Sequence, residues 1–195
     1  MKPDDPSIAN TYNSIGNVYF RQNKYDQALD YYHEALKIYQ KVYGDAHRKV
    51  AMCKNNVGNI HSMKHEYSIA FDYYMEALSI REKCLLENDF DLGISHGNLG
   101  NIYKEVGEYD LALKHYNLEL KIYKACRPFK NPSIASAMRS IGLVYEKKND
   151  LIEANNYFQQ SANIYRCILD PSHHDVIQIE ENIQCIQSKL TSSNS

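Results

Sequence analysis

The chain has 195 residues, with 22 basic against 24 acidic side chains and 44% hydrophobic residues, so it is nearly neutral and long enough for one domain or a small pair. That balance favours neither nucleic acid nor an anionic membrane as a partner. No apolar run of 18 residues and no cleavable leader pattern occurs, and the expectation is a soluble, cytoplasmic, monomeric chain.

Pro6 suits the first turn of a helix, with Asp4 or Asp5 as its cap. Ile8, Tyr12, Ile15 and Tyr19 then recur at steps of four, three and four, which predicts a helix over about 7–22. After the polar "RQNK", Ala28, Tyr32, Ala35 and Tyr39 repeat that spacing, with Leu29, Leu36 and Ile38 widening the stripe, and predict a second helix over about 25–43. The pattern returns at about 48–64 and 66–86, 91–106 and 108–126, and 133–148 and 150–168. Asn131-Pro132 repeats the opening of the first copy, and Gly107 falls in the third short connection. A last helix, about 175–190, carries Val176, Ile179, Ile183 and Ile186 on one stripe and polar residues elsewhere, as a helix covering the end of a stack should. The tail, 191–195, reads as disordered.

The copies are in strict register. Gly16, Gly58, Gly100 and Gly142 stand 42 residues apart, as do Ala28, Ala70, Ala112 and Ala154. Tyr32, Tyr74, Tyr116 and Phe158 keep the same step. A fixed period of this length is the mark of stacked repeats, each a helical hairpin that cannot bury its own apolar face. The repeats fall at about 6–47, 48–89, 90–131 and 132–173, within one repeat domain over 1–190. Three positions break the pattern: His61 among tyrosines, Glu119 at a small position, and Leu151 in a tyrosine column. A carboxylate at 119 needs a partner or an opening to water.

Tyr12, Ile15-Gly16, Tyr19, Ala28, Tyr32 and Ala35 together resemble the tetratricopeptide repeat. The extra residues of each copy, in "QKVYGDAHRKVA" and before "NPSIAS", are similar to the long repeats of kinesin light chains and related adaptors. The "GNLGN" of the third copy is similar to the repeats of spindle-orientation adaptors. The resemblance covers about 6–190 and implies an all-α, right-handed α-solenoid that binds proteins and is not an enzyme. No long heptad segment precedes the repeats in this sequence, so the likeness is to the repeat domain of such proteins.

Signals for other chemistry are weak. The five cysteines form no Cys-x-x-Cys pair, and Cys84 and Cys126 share one repeat column, so they read as reduced, half-buried thiols. His61 and His65 have a metal pair's spacing without a third ligand, and His173-His174 lies at a repeat junction. Gly93, Gly97 and Gly100 lack the spacing and the preceding strand of a phosphate loop. Neither a cofactor nor a bound metal is expected.

The remaining signal is a ladder of side-chain amides. Asn13 and Asn17 lie about 200° around the helix from Ile15 and Tyr19, at 100° per residue. The same columns hold Asn55 and Asn59, Gly97 and Asn101, and Arg139 and Leu143. The resemblance implies that these first helices line a concave groove. An amide offers a donor and an acceptor to an extended peptide backbone, Arg21, Lys104 and Arg139 add positive charge, and Gly97 leaves room for a bulky ligand side chain. Asn55 and Asn59 should be replaceable by alanine without loss of stability, since they lie opposite the core. The expected function is an adaptor holding an extended segment of a partner protein. The alternatives are a structural or self-associating spacer and a regulatory repeat region of a larger protein.

Overall fold

The structure, a computed structural model, describes residues 5–126 and 131–192, and these are all-α, with no strand among the described residues. In chain order the helices are α1 (Pro6–Arg21), α2 (Tyr25–Tyr43), α3 (Arg48–Met63), α4 (Tyr67–Cys84), α5 (Phe90–Glu105), α6 (Tyr109–Cys126), α7 (Pro132–Lys147), α8 (Leu151–Ile168) and α9 (His174–Ser192). They fall into two compact units, residues 1–87 and 88–195. In the first, the α1–α2 and α3–α4 hairpins meet through α2 and α3; in the second, α5–α6 meets α7–α8 through α6 and α7, and α9 packs on α8. None of these helices is long and apolar enough to cross a membrane.

Local chemistry sets the helix starts. Asp5 and Asn131 each accept from the backbone N–H two residues on, at 2.9 Å, and a proline follows each cap. The other candidate cap, Asp4, lies outside the described residues. Asp89 caps α5 in the same way, and the His47 Nδ1 caps α3. Within each hairpin the chain turns through a left-handed residue: Asn23, His65, Gly107 and Asn149, with φ of 58°, 60°, 85° and 61°. Asparagine and glycine enter that region most readily. His65 is the costlier choice, and its ring accompanies the Tyr67 hydroxyl at 2.8 Å.

Hairpin closure explains the glycine column. A Cβ on Gly16 would lie 2.6 Å from the Tyr32 ring, on Gly58 and Gly100 2.8 Å from Tyr74 and Tyr116, and on Gly142 2.6 Å from Phe158. Those aromatic rings are almost wholly buried, so the two helices approach as closely as they do because this side chain is missing. A second aromatic pair closes each hairpin from another side. Tyr19 stacks on Tyr31, His61 on Tyr73, Tyr103 on His115 and Tyr145 on Tyr157, with centroids 5.3–5.6 Å apart. His61 therefore keeps the aromatic contact of the tyrosines it replaces, and its Nδ1 lies 2.5 Å from the Glu66 carboxylate.

At the C-terminus α9 buries Val176, Ile179, Ile183 and Ile186. Polar links tie its outer face down: Arg139 to Asn182, Arg166 to Glu180, and Lys189 to Glu146. Thr191 and Ser192, expected in a disordered tail, continue the helix, their hydroxyls donating to the Ser188 carbonyl at 2.9 Å and 3.0 Å. Residues 193–195 lie outside the described residues.

Candidate functional site

The first helix of each hairpin carries both asparagine columns, and the structure gives the two different surroundings. In the column of Asn17, Asn59 and Asn101 the amide oxygen accepts from a tyrosine hydroxyl on the paired helix. The bonds are Tyr32 to Asn17 at 2.7 Å, Tyr74 to Asn59 at 2.8 Å and Tyr116 to Asn101 at 2.6 Å. Burial pushes the Tyr32 phenol up to about 12 and raises Tyr74 and Tyr116 likewise, so these hydroxyls remain protonated donors. The fourth copy replaces both partners together: Phe158 has no hydroxyl to satisfy, and Leu143 stands where the amide would be. With the oxygen engaged, the Asn17 and Asn101 amides are fixed in orientation. Both residues are exposed, and their N–H groups are the donors left for another molecule.

This pairing is measurable. Asn101→Ala should lower stability by about 1 kcal/mol, because the Tyr116 hydroxyl loses its acceptor in a partly buried place. Asn101→Leu with Tyr116→Phe should recover most of that loss. A double-mutant cycle by chemical denaturation gives the coupling directly. Additive effects would mean that the bond contributes nothing.

The other column is more enclosed. Asn13 is half-buried and accepts from the Asn56 amide at 3.0 Å. Asn55 is only 6% exposed and accepts from the buried Arg81 at 3.2 Å. The expectation that Asn55 and Asn59 avoid the core therefore does not hold: α3 packs on both α2 and α4, so it has no free face opposite a single core. Their replacement by alanine should lower stability. Arg139 is half-buried, its Nε donating to Asn182 at 3.0 Å. Arg21 is exposed, and the Lys104 ammonium lies 3.0 Å from Glu105.

Gly97 is not an opening for a ligand. The Glu119 carboxylate occupies the place of its missing side chain. Glu119 lies in a cavity of about 280 Å³ shared with Tyr123, Ser133, Ser136, Arg139 and Tyr165. Loss of water pushes its carboxyl up to about 8, partly opposed by a hydrogen bond from Tyr123. The odd glutamate and the odd glycine are thus one feature, an acid accommodated by a deleted side chain.

Sequence reasoning missed two further residues or pairs. Arg81 interrupts the column of Tyr39, Tyr123 and Tyr165, a break visible at the 42-residue step. His96 and His115 replace Tyr12 and Tyr31 of the first copy, and their Nδ1 atoms lie 3.2 Å apart. The thiols also differ from expectation: Cys53 is buried, and burial pushes it up to about 12, whereas Cys84, Cys167 and Cys185 are exposed. Among the described residues no group of three or more His, Cys, Asp or Glu side chains is placed to hold a metal ion.

The tetratricopeptide repeat family model matches residues 7–83 and 91–166. Among solved structures the chain is similar to BtubC (BKLC) from P. vanneervenii, at 24% identity and a TM-score of 0.76, over 87% of this chain and 67% of that one. It is similar to a Podosopora anserina putative kinesin light chain with nearly identical TPR-like repeats, at 14% identity and a TM-score of 0.79, over 96% and 88% of the two chains. It is also similar to the apo form of RapI, at 22% identity and a TM-score of 0.74, over 97% and 70%. These likenesses show the fold alone. No curated protein matches the chain.

Proposed function

Because this chain belongs to the tetratricopeptide repeat family, we propose that it is a non-enzymatic adaptor holding an extended segment of a partner protein on the first helices of its hairpins. Repeat domains of this family are protein-interaction modules. The observation that carries the finer reading is the exposed amide of Asn17 and Asn101, each with its oxygen held by a buried tyrosine, which leaves its N–H groups to donate to a partner. Donors fixed in this way suit the carbonyls of an extended backbone, because no side-chain freedom is lost on binding. In the first unit the face comprises the exposed Asn17 and Arg21 with the half-buried Asn13 and Asn59, while Asn55, buried against Arg81, drops out of it. In the second it comprises Asn101, Lys104 and Arg139, whose guanidinium favours an acidic side chain or a terminal carboxylate. The expected affinity is near micromolar, about −8 kcal/mol, to which each neutral hydrogen bond contributes about 0.5–1.5 kcal/mol.

A self-associating spacer is the competing reading, and the tyrosine partners favour it, since they give the asparagines a use inside the fold. One variant separates the two. Asn17→Leu with Tyr32→Phe, combined with Asn101→Leu and Tyr116→Phe, copies the Leu143–Phe158 pair that the chain already contains. The core stays satisfied and the outward donors disappear. Peptides selected from a displayed library on the wild-type chain should bind this variant at least about tenfold more weakly, two lost hydrogen bonds being enough. Equal binding would move the interaction to another surface. Concentration-dependent oligomers with no selected peptide would favour the spacer.

A further inference from the structure

We propose that His96 and His115, facing each other across the α5–α6 hairpin, form an open two-histidine site for a divalent transition-metal ion such as Zn²⁺. In the first copy the equivalent positions hold Tyr12 and Tyr31, a tilted ring pair with centroids 5.9 Å apart. The third copy replaces both tyrosines with imidazoles. The second and fourth copies hold Lys54 with Tyr73 and Met138 with Tyr157, so only the third copy places an imidazole at both positions.

The geometry suits a shared ion. A tetrahedral ion bonded to two imidazoles at about 2.0–2.1 Å holds the nitrogens about 3.3 Å apart and the ring centres about 5.2 Å apart. The observed separations are 3.2 Å between Nδ1 atoms and 5.3 Å between centroids, with the rings inclined at 48°. Both histidines are partly buried, so neither is freely rotating, and Tyr103 stacks on the His115 ring at 5.3 Å. Without metal, one imidazole donates an Nδ1 hydrogen to the other; on binding, that ring carries its hydrogen on Nε2 and both Nδ1 lone pairs face the ion, with no net proton change. Imidazole ligates in its neutral form. The neighbouring Lys114 opposes a cation and limits affinity.

With no third His, Cys, Asp or Glu completing the group among the described residues, two coordination positions remain for water or for a donor from a partner. Such a site is exchangeable and does not hold the fold together. Zn²⁺ suits imidazole, as do Cu²⁺ and Ni²⁺.

The test is calorimetric titration of the whole chain with Zn²⁺ alone, with Co²⁺ as a spectroscopic substitute. One equivalent should bind in the micromolar range and give a tetrahedral Co²⁺ spectrum without thiolate charge-transfer bands. His96→Tyr and His115→Tyr, which restore the residues of the first copy, should each weaken binding at least about tenfold, since losing a ligand costs no less than losing an outer-shell partner. His65→Asn, matching Asn23 and Asn149 at the other turns, should bind as wild type does. The melting temperature should be the same with and without a chelator. Unchanged Zn²⁺ affinity in both tyrosine variants, or a sulfur-ligated Co²⁺ spectrum, overturns the proposal. Should one variant fail to fold, the other and the Co²⁺ spectrum still decide.

Discussion

Removing α9 (His174–Ser192) is expected to turn a well-behaved chain into an aggregating one. The helix buries four aliphatic side chains, Val176, Ile179, Ile183 and Ile186. At roughly 1.5 kcal/mol each their burial is worth at most about 6 kcal/mol, part of which is offset by the entropy of ordering the helix. The surface links, such as Arg166 to Glu180 at 2.7 Å, add little because they are exposed and screened. Truncation after residue 173 therefore uncovers the apolar side of α8, against which α9 packs. Hydrogen exchange should show α7 and α8 losing protection before the other helices, and light scattering should show association. A truncated chain that stays monomeric with the wild-type melting temperature would mean that α9 caps nothing.

Glu119 should make the protein's stability fall as pH rises from about 4.5 to about 8. In the unfolded chain the carboxyl ionises near its ordinary value of 4.5, whereas the folded surroundings hold the proton up to about 8. Between those values the folded chain binds a proton that the unfolded chain has released, so the stabilisation is fully present below 4.5 and is lost as pH climbs through 8. Each tenfold difference in proton affinity is worth about 1.4 kcal/mol, and the total is on the order of a few kcal/mol. Tyr116, raised by burial, stays protonated over this range, whereas His115, held down at about 4 from its ordinary 6.5, makes stability rise with pH below 6.5, so the slope is chiefly that of Glu119 between about 6.5 and 8. Glu119→Gln keeps the shape and removes the titration. Its melting temperature should exceed that of wild type above pH 8 and vary less between pH 6.5 and 9. Parallel profiles for the two proteins would show that the carboxyl is solvated. A Gly97→Ala variant, whose new methyl meets the Glu119 carboxylate, should be destabilised by about 1–3 kcal/mol.

The hairpins were legible because period is a property of the chain alone. Apolar spacing and the 42-residue step place all the helices, and Asn131-Pro132 announces α7 before any contact is known. What could not be read was the second neighbour of each helix. Counting angles around α1 or α3 from Ile15 or Val57 assumes one buried side, yet α3 is held between α2 and α4, and Asn55 becomes buried on a face that looked free. Glu119 and Gly97 each stood out singly. Their complementarity lies across two helices and 22 residues, and setting column against column (Asn13 with Ala35, Asn55 with Ala77, Gly97 with Glu119) would have shown one side chain shrinking in the third copy as its partner grew. The tyrosine–asparagine pairs could have been found in the same way. Leu143 opposite Phe158 is the exception that reveals the rule.

That exception also ranks the two routes between such pairs. Duplicated repeats diverge one substitution at a time, and the path from an Asn–Tyr pair to a Leu–Phe pair has two possible intermediates. Tyrosine changed first leaves an exposed asparagine that water can satisfy at almost no cost. Asparagine changed first strands a phenolic hydroxyl against leucine in a partly buried place, at about 1–3 kcal/mol, a large share of a small domain's margin. On that difference the cheaper path loses the hydroxyl before the amide, so phenylalanine at Tyr32, Tyr74 or Tyr116 should be tolerated better than leucine at Asn17, Asn59 or Asn101.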